Sequence, residues 1–67
     1  MSKIEKRRRE MKMNQAELAA KVGVTQGAIS MIENGDRTPS LGLMARIAAV
    51  LESTIDELME DGQHMTA

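Results

Sequence analysis

Gln26, Gly27, Ser30, Met31 and Asn34 are the residues of this 67-residue chain whose types and spacing can do chemistry together. If the stretch from Thr25 is helical, each residue turns the side chain by about 100°. Ile29 and Ile32 then mark the inner face, and the other four residues beyond Gln26 look outward. Gln26 lies at the margin, in the first turn, where a long amide can swing outward past the cap. The outward face carries two carboxamides, a hydroxyl, a thioether and a bare glycine backbone, and no charge. A helix face that only meets water normally carries Lys and Glu. Hydrogen-bonding groups beside an apolar one, without ions, make a surface for recognition. Catalysis lacks its parts: cysteine is absent, the one histidine is His64, and no nucleophile is spaced with a base. The missing thiolates also remove a cysteine metal site, and neither a metal nor a cofactor is expected.

Such a face must be held out from the fold, and the preceding residues show how. Asn14 is placed to cap a helix, with Glu17 three residues on to reach back to the cap N–H. Leu18, Ala19 and Val22 fall on one face of that helix. Gly23 comes where the chain must turn with positive φ, Val24 plugs the bend, and Thr25 caps the next helix. Ala19 is short enough for two helices to cross steeply. This is the pattern of a helix-turn-helix. Glu33 falls near the buried edge of its second helix and needs a cationic partner.

The flanking segments read as supports. A first helix is predicted from about Ser2 to Met11, with Ile4 and Met11 inward and Arg8 partly buried between them. Met13 enters the core before Asn14. Downstream, Pro39 holds Thr38 extended, Ser40 caps a fourth helix, and Leu41, Met44, Ile47, Ala48 and Leu51 form its predicted inner stripe. Thr54 and Glu57 form a second candidate capping box, with Ile55 and Leu58 closing the core. The predicted fold class is all-α, with one helix-turn-helix domain over residues 1–60 and a tail over 61–67 that is expected to fray. The chain is near the lower limit for folding without staples. With no aromatic residue and seven Met, its core must be aliphatic and plastic.

The formal net charge of −1 argues against a general polyanion binder, but the charge is unevenly spread. Residues 1–12 hold six cations against Glu5 and Glu10, a local charge of +4. Residues 52–67 hold five acids and no Lys or Arg. No run is apolar enough to span a membrane, and no signal-peptide pattern is present, so a cytoplasmic setting is expected.

Gln15, Leu18, Ala19, Gly23, Val24, Thr25, Gln26, Ile29, Ser30, Ile32, Glu33 and Gly35 closely resemble the lambda-repressor-like, XRE-type helix-turn-helix family. Within it, the likeness is to the lambdoid phage repressors. Pro39-Ser40-Leu41, Ile47-Ala48, Leu51 and Asp56-Glu57-Leu58 continue the pattern, so the resemblance runs from about Ile4 to Met59. It implies a compact five-helix bundle, with helices 2 and 3 as the motif, encoded by a bacterium or phage. It implies a transcriptional regulator, expected to be a repressor, with helix 3 (about 25–33) in the major groove of double-stranded DNA. Gln26 is then the leading base reader, since a carboxamide pairs with adenine N6 and N7. Gly27 can let the backbone come close or can be neutral drift at a surface site. Ser30 can bond base edges or only a helix carbonyl, and Met31 can pack on a thymine methyl or remain a half-exposed filler.

The phosphate candidates are Gln15, Arg9, Lys12, Asn34, Arg37 and Thr38. Lys6 and Arg7 can equally be bystanders. Family likeness also implies a structural pair of Arg8 with Glu33. Two departures stand out: Lys12 replaces a common Gly, so that turn is expected to be strained, and Glu52-Ser53 replaces a usual Gly-Val. One reading helix covers half a turn of groove, so a weak homodimer on a near-palindromic operator is expected, through Leu51, Ser53 and Met59. Met59 can instead be a loose core residue. No small-molecule ligand or membrane partner is expected. The rival reading is an antitoxin-like module whose acidic end binds a basic protein while the motif regulates its own operon. The chain is expected to be either a stand-alone regulator or a fragment of a longer repressor.

Overall fold

Short polar side chains start every helix of the computed structural model, which describes residues 2–59. The helices are α1 (Lys3–Glu10), α2 (Gln15–Val22), α3 (Gln26–Asn34), α4 (Leu41–Val50) and α5 (Ile55–Leu58), and no strand occurs among the described residues. Ser2, Asn14, Thr25, Ser40 and Thr54 each accept the N–H of the residue three positions on. Each thereby satisfies one of the donors that a helix start leaves without a partner. At Asn14 and Thr54 the box is complete, because the Glu17 and Glu57 carboxylates accept the cap N–H at 3.1 and 2.9 Å.

The first four helices also share one way of stopping. Lys12, Gly23, Gly35 and Glu52 take left-handed backbone, with φ of 57°, 78°, 84° and 53°. The N–H of the following residue then turns back to a carbonyl five residues earlier. The bonds are Met13 to Arg8, Val24 to Ala19, Asp36 to Met31 and Ser53 to Ala48, at 2.8–3.1 Å. This is the Schellman closure, which reverses the chain within a few residues. Two of the four turns use glycine and two do not. Lys12 was expected to be strained; Glu52 has the same conformation for the same reason.

These tight turns fold the helices around an aliphatic centre, in a body measuring 28 × 20 × 20 Å. Leu18, Ile29, Met44, Ile47 and Leu51 are its fully buried side chains. Ala19 and Val22 of α2 and Ile32 of α3 join them where the two helices pack, Ile4 closes the core from α1, and Leu58 from α5. Val24, Met11, Met13, Ile55 and Met59 pack against its edge. Ala28, not anticipated as a core residue, is buried as well.

Two sequence expectations are corrected here. Leu41 does not lie on the inner stripe of α4: it is 54% exposed, and Leu43 takes the place at 4%. At about 100° per residue, Leu41 and Leu43 lie on opposite flanks of the Met44–Ile47–Leu51 line, and the helix packs on the Leu43 flank. Leu51 is fully buried, so its side chain contributes nothing to a dimer surface. The frayed tail expected over residues 61–67 lies outside the described residues.

A side chain in left-handed backbone costs about 1–2 kcal/mol, which glycine avoids at some cost in unfolded-state entropy. Lys12→Gly and Glu52→Gly are each expected to stabilise the fold by about 0.5–1 kcal/mol in urea unfolding. An unchanged or lower midpoint for both would show that these turns store no strain.

Candidate nucleic-acid interface

The α3 helix presents two faces of opposite character. Ala28, Ile29, Ile32 and Glu33 are buried, whereas Gln26, Gly27, Met31 and Asn34 are exposed and Ser30 is half-buried. Met31 is 42% exposed, high for a large apolar side chain. The four expected readers and Asn34 therefore lie along one strip that turns away from the core. With a rise of 1.5 Å per residue, Gln26 and Asn34 stand about 12 Å apart along the axis. The strip carries no ion. Gly27 is not required by internal packing, since an added Cβ would meet nothing nearer than the Thr25 hydroxyl at 3.9 Å.

The other face of α3 is tied down by a polar cluster. Arg8 Nε donates to Glu33 Oε2 at 2.7 Å and Nη2 to Oε1 at 3.0 Å, a two-pronged pair. The third nitrogen, Nη1, donates to the Met13 carbonyl at 2.8 Å. Both side chains are nearly inaccessible, at 7% and 2%. Gln15 completes the cluster by donating Nε2 to Glu33 Oε1 at 2.9 Å. Burial by itself pushes the Glu33 carboxyl up, but the hydrogen bonds from Arg8 and Gln15, with the Arg8 and Arg9 charges, hold it below its usual 4.5. The hydrogen bond from Arg8 to Glu33 outweighs burial and raises the guanidinium further above its usual value. No buried side-chain polar atom among the described residues lacks a partner.

The phosphate candidates fare differently. Asn34, Arg37, Thr38 and Lys12 are exposed, the first three on the C-terminal side of the strip and Lys12 in the turn before α2. Gln15 is half-buried and has committed one N–H to Glu33, leaving a second N–H and its carbonyl. Arg9 pairs with Glu5 at 2.9 Å on an open surface, a contact weak enough to be exchanged. The basic cluster of α1 is smaller than its charge implies. Arg7 Nε donates to the Leu51 carbonyl at 2.9 Å, and Arg8 is consumed by the cluster above. Arg46 of α4 likewise donates to the Val22 carbonyl at 3.2 Å, setting a cation at the C-terminal end of α2. Neither the Arg7 nor the Arg46 contact was foreseen. The sole sequence signal for either was a cation that a tertiary neighbour could use. Ser53, expected at a dimer surface, is half-buried, with its hydroxyl donating to the Leu51 carbonyl at 3.3 Å. Among the described residues no group of three or more His, Cys, Asp or Glu is placed to hold a metal, and no helix is long and apolar enough to cross a membrane.

Comparison with known proteins gives a consistent answer. Residues 4–58 match the family described as "Helix-turn-helix". An uncharacterized HTH-type transcriptional regulator of Archaeoglobus fulgidus is 46% identical over 69% of this chain and 66% of its own length. One from Methanothermobacter thermautotrophicus is 46% identical over 72% of this chain and 70% of its own. An uncharacterized HTH-type transcriptional regulator of Sinorhizobium fredii is 44% identical over 72% of this chain. The match spans only 24% of that last protein's length.

The buried pair carries its own test. Removing one partner strands a buried charge and costs about 3–5 kcal/mol, whereas replacing both by apolar residues is often neutral. Glu33→Ala is expected to lose about that much in thermal or urea unfolding, and Arg8→Met with Glu33→Leu to recover most of it. A double variant no better than either single one would exclude the coupling. Because the folded-state carboxyl lies below 4.5, its contribution is fully present above that pH and is lost as pH falls through the folded value. Acid titration of stability is therefore expected to fall more steeply below pH 4.5 in the wild type than in Glu33→Gln.

Proposed function

Because the chain belongs to the XRE-type helix-turn-helix family of DNA-binding transcriptional regulators, we propose that it reads operator sequence with the outward strip of α3 and acts as a repressor. The observation that carries this reading is the uncharged, exposed strip from Gln26 to Asn34, built on a helix whose opposite face is locked by Arg8 and Glu33. In this arrangement the N-terminal half of α3 enters the major groove and α2 lies across the backbone. Gln26 sits in the first turn with its amide exposed, where it pairs bidentately with adenine. Ser30 and Met31 lie one turn further along, within reach of the neighbouring base edges, and Gly27 lets the helix approach.

Phosphate contacts position the domain without reading sequence. Arg37, Thr38 and Asn34 serve one strand, while Lys12, Arg9 and the remaining N–H of Gln15 serve the other. The DNA-binding unit is residues 1–60. Two copies bind together, because half a turn of groove holds too little information for useful discrimination. Ser53 and Met59, at the α4–α5 end, are the residues left for that contact now that Leu51 is buried. The association is weak in solution and is favoured on a two-fold operator.

Gln26→Ala is expected to keep wild-type melting but lose about 1–3 kcal/mol of discrimination at one base pair, measured by titrating a panel of operator variants. Equal affinity of the wild type for every duplex in the panel would reject sequence reading altogether. Arg37→Ala is expected to weaken binding to all sequences alike and to lower the slope of log K against log salt by about one. If the slope stays at the wild-type value, Arg37 is not a phosphate contact.

A further inference from the structure

The chemistry of the strip, taken with the reading above on which this rests, also restricts which operators it can select. Guanine is read best by a forked cation on its O6 and N7, and cytosine by a carboxylate accepting from N4. The strip from Gln26 to Asn34 holds neither. The carboxylate of α3, Glu33, faces inward and is spent on Arg8 and Gln15. Arg37 lies past the end of the helix, in the loop that precedes α4. What the strip does offer is a carboxamide, which matches adenine, and a thioether, which matches a thymine methyl. Ser30 is short and half-buried, and its hydroxyl bonds to any base, so it adds little discrimination.

Spacing then sets the order of the preferences. Gln26 and Met31 are five residues apart, about 7.5 Å along the axis. For a helix lying along the groove that is about two base-pair steps of 3.4 Å. Gly27, exposed and without a side chain, stands between them in rotation, about 100° round the helix from Gln26 and about 40° short of Met31. We infer that each half-site has A·T pairs opposite Gln26 and Met31 and an unread base pair between them, beneath Gly27. The gap is a property of the reading surface and not a demand of the fold. A Cβ at residue 27 would make only ordinary contact, at 3.9 Å from Thr25 Oγ1, and the helix there has ordinary negative φ. A longer side chain at residue 27 therefore writes new specificity onto an otherwise unchanged domain.

The test is binding selection from a library of random duplexes at low salt, read by sequencing, with the wild-type chain, Gly27→Arg and Gly27→Gln. The wild type is expected to prefer A·T over G·C by roughly tenfold or more at two positions two steps apart. The position between them is expected to stay within about twofold of random. Gly27→Arg is expected to place guanine at that position, and Gly27→Gln adenine, with melting close to wild type. A wild-type motif centred on G·C pairs, or one with no indifferent position, overturns the inference while leaving sequence-specific binding intact. So does a folded Gly27→Arg and Gly27→Gln pair whose motifs match the wild type. Should the folded wild type enrich no sequence at all, the groove reading itself fails, and the inference fails with it.

Discussion

The buried pair of Arg8 with Glu33 is the constraint on which the arrangement of the helices depends. Taking two ions out of water costs several kcal/mol each, and their attraction offsets that only when geometry is good and every nitrogen and oxygen of the pair has a partner. Both conditions hold here, with two short bonds to the carboxylate, a third from Nη1 to the Met13 carbonyl, and Gln15 on the free lone pair. The cluster draws on α1, the turn after it, the first residue of α2 and the last turn of α3. An aliphatic core without an aromatic ring tolerates many packings, since volume and patterning matter more than exact fit. Directional bonds from one guanidinium to α3 and to the turn after α1 tolerate few. The pair therefore sets the orientation of α3 more than it adds to stability.

That anchoring has a consequence for the reading surface. Glu33 stands in the last turn of α3 and Gln26 in the first, so the helix is clamped at the end away from Gln26, the proposed base reader. Ala28, Ile29 and Ile32 hold the flank between them. Side chains on a rigid, doubly held helix lose less entropy on binding than the same side chains on a loop. The turns add to this rigidity: four left-handed closures leave no long connection in which the helices could drift. Gln15 shares in the same restraint, since its amide is bonded to Glu33 before any partner arrives, which leaves its second N–H directed in advance.

How much of this was legible depended on how local each feature is. The caps at Asn14, Thr25, Ser40 and Thr54, both boxes and the glycine turn at residue 23 were readable because the two ends of each interaction lie three to five residues apart. The outward placement of Gln26, Gly27, Met31 and Asn34 was readable for the same reason, as helical rotation needs no knowledge of neighbours. Leu41 was misplaced because two apolar stripes fit α4 equally well, and only contact with the rest of the core chooses between them. Arg7 reaching the Leu51 carbonyl, 44 positions away, and Arg46 reaching Val22, 24 away, carry no local mark at all. Pairing Arg8 with Glu33 spans 25 positions and came from the family pattern rather than from periodicity. The third member, Gln15, was missed because an amide at a helix start already had a role as an anion contact.

The fate of the α1 cations bears on how such a protein can discriminate at all. Non-specific affinity for DNA grows with the number of phosphates neutralised. Had all six cations of residues 1–12 faced DNA, the background against every sequence would be strong, and a few base contacts would matter little beside it. Instead Arg7 and Arg8 are turned to carbonyls and a carboxylate within the fold, and Arg9 is shared with Glu5. The net charge of the chain stays at −1. On the proposed groove reading, fewer cations are left for phosphate than the charge of residues 1–12 implies, and base contacts from the uncharged strip would count for a larger share of the total. On that same reading one copy on one half-site would hold poorly, and the proposed joint binding of two copies would be the step at which a matched operator separates from the rest of the duplex.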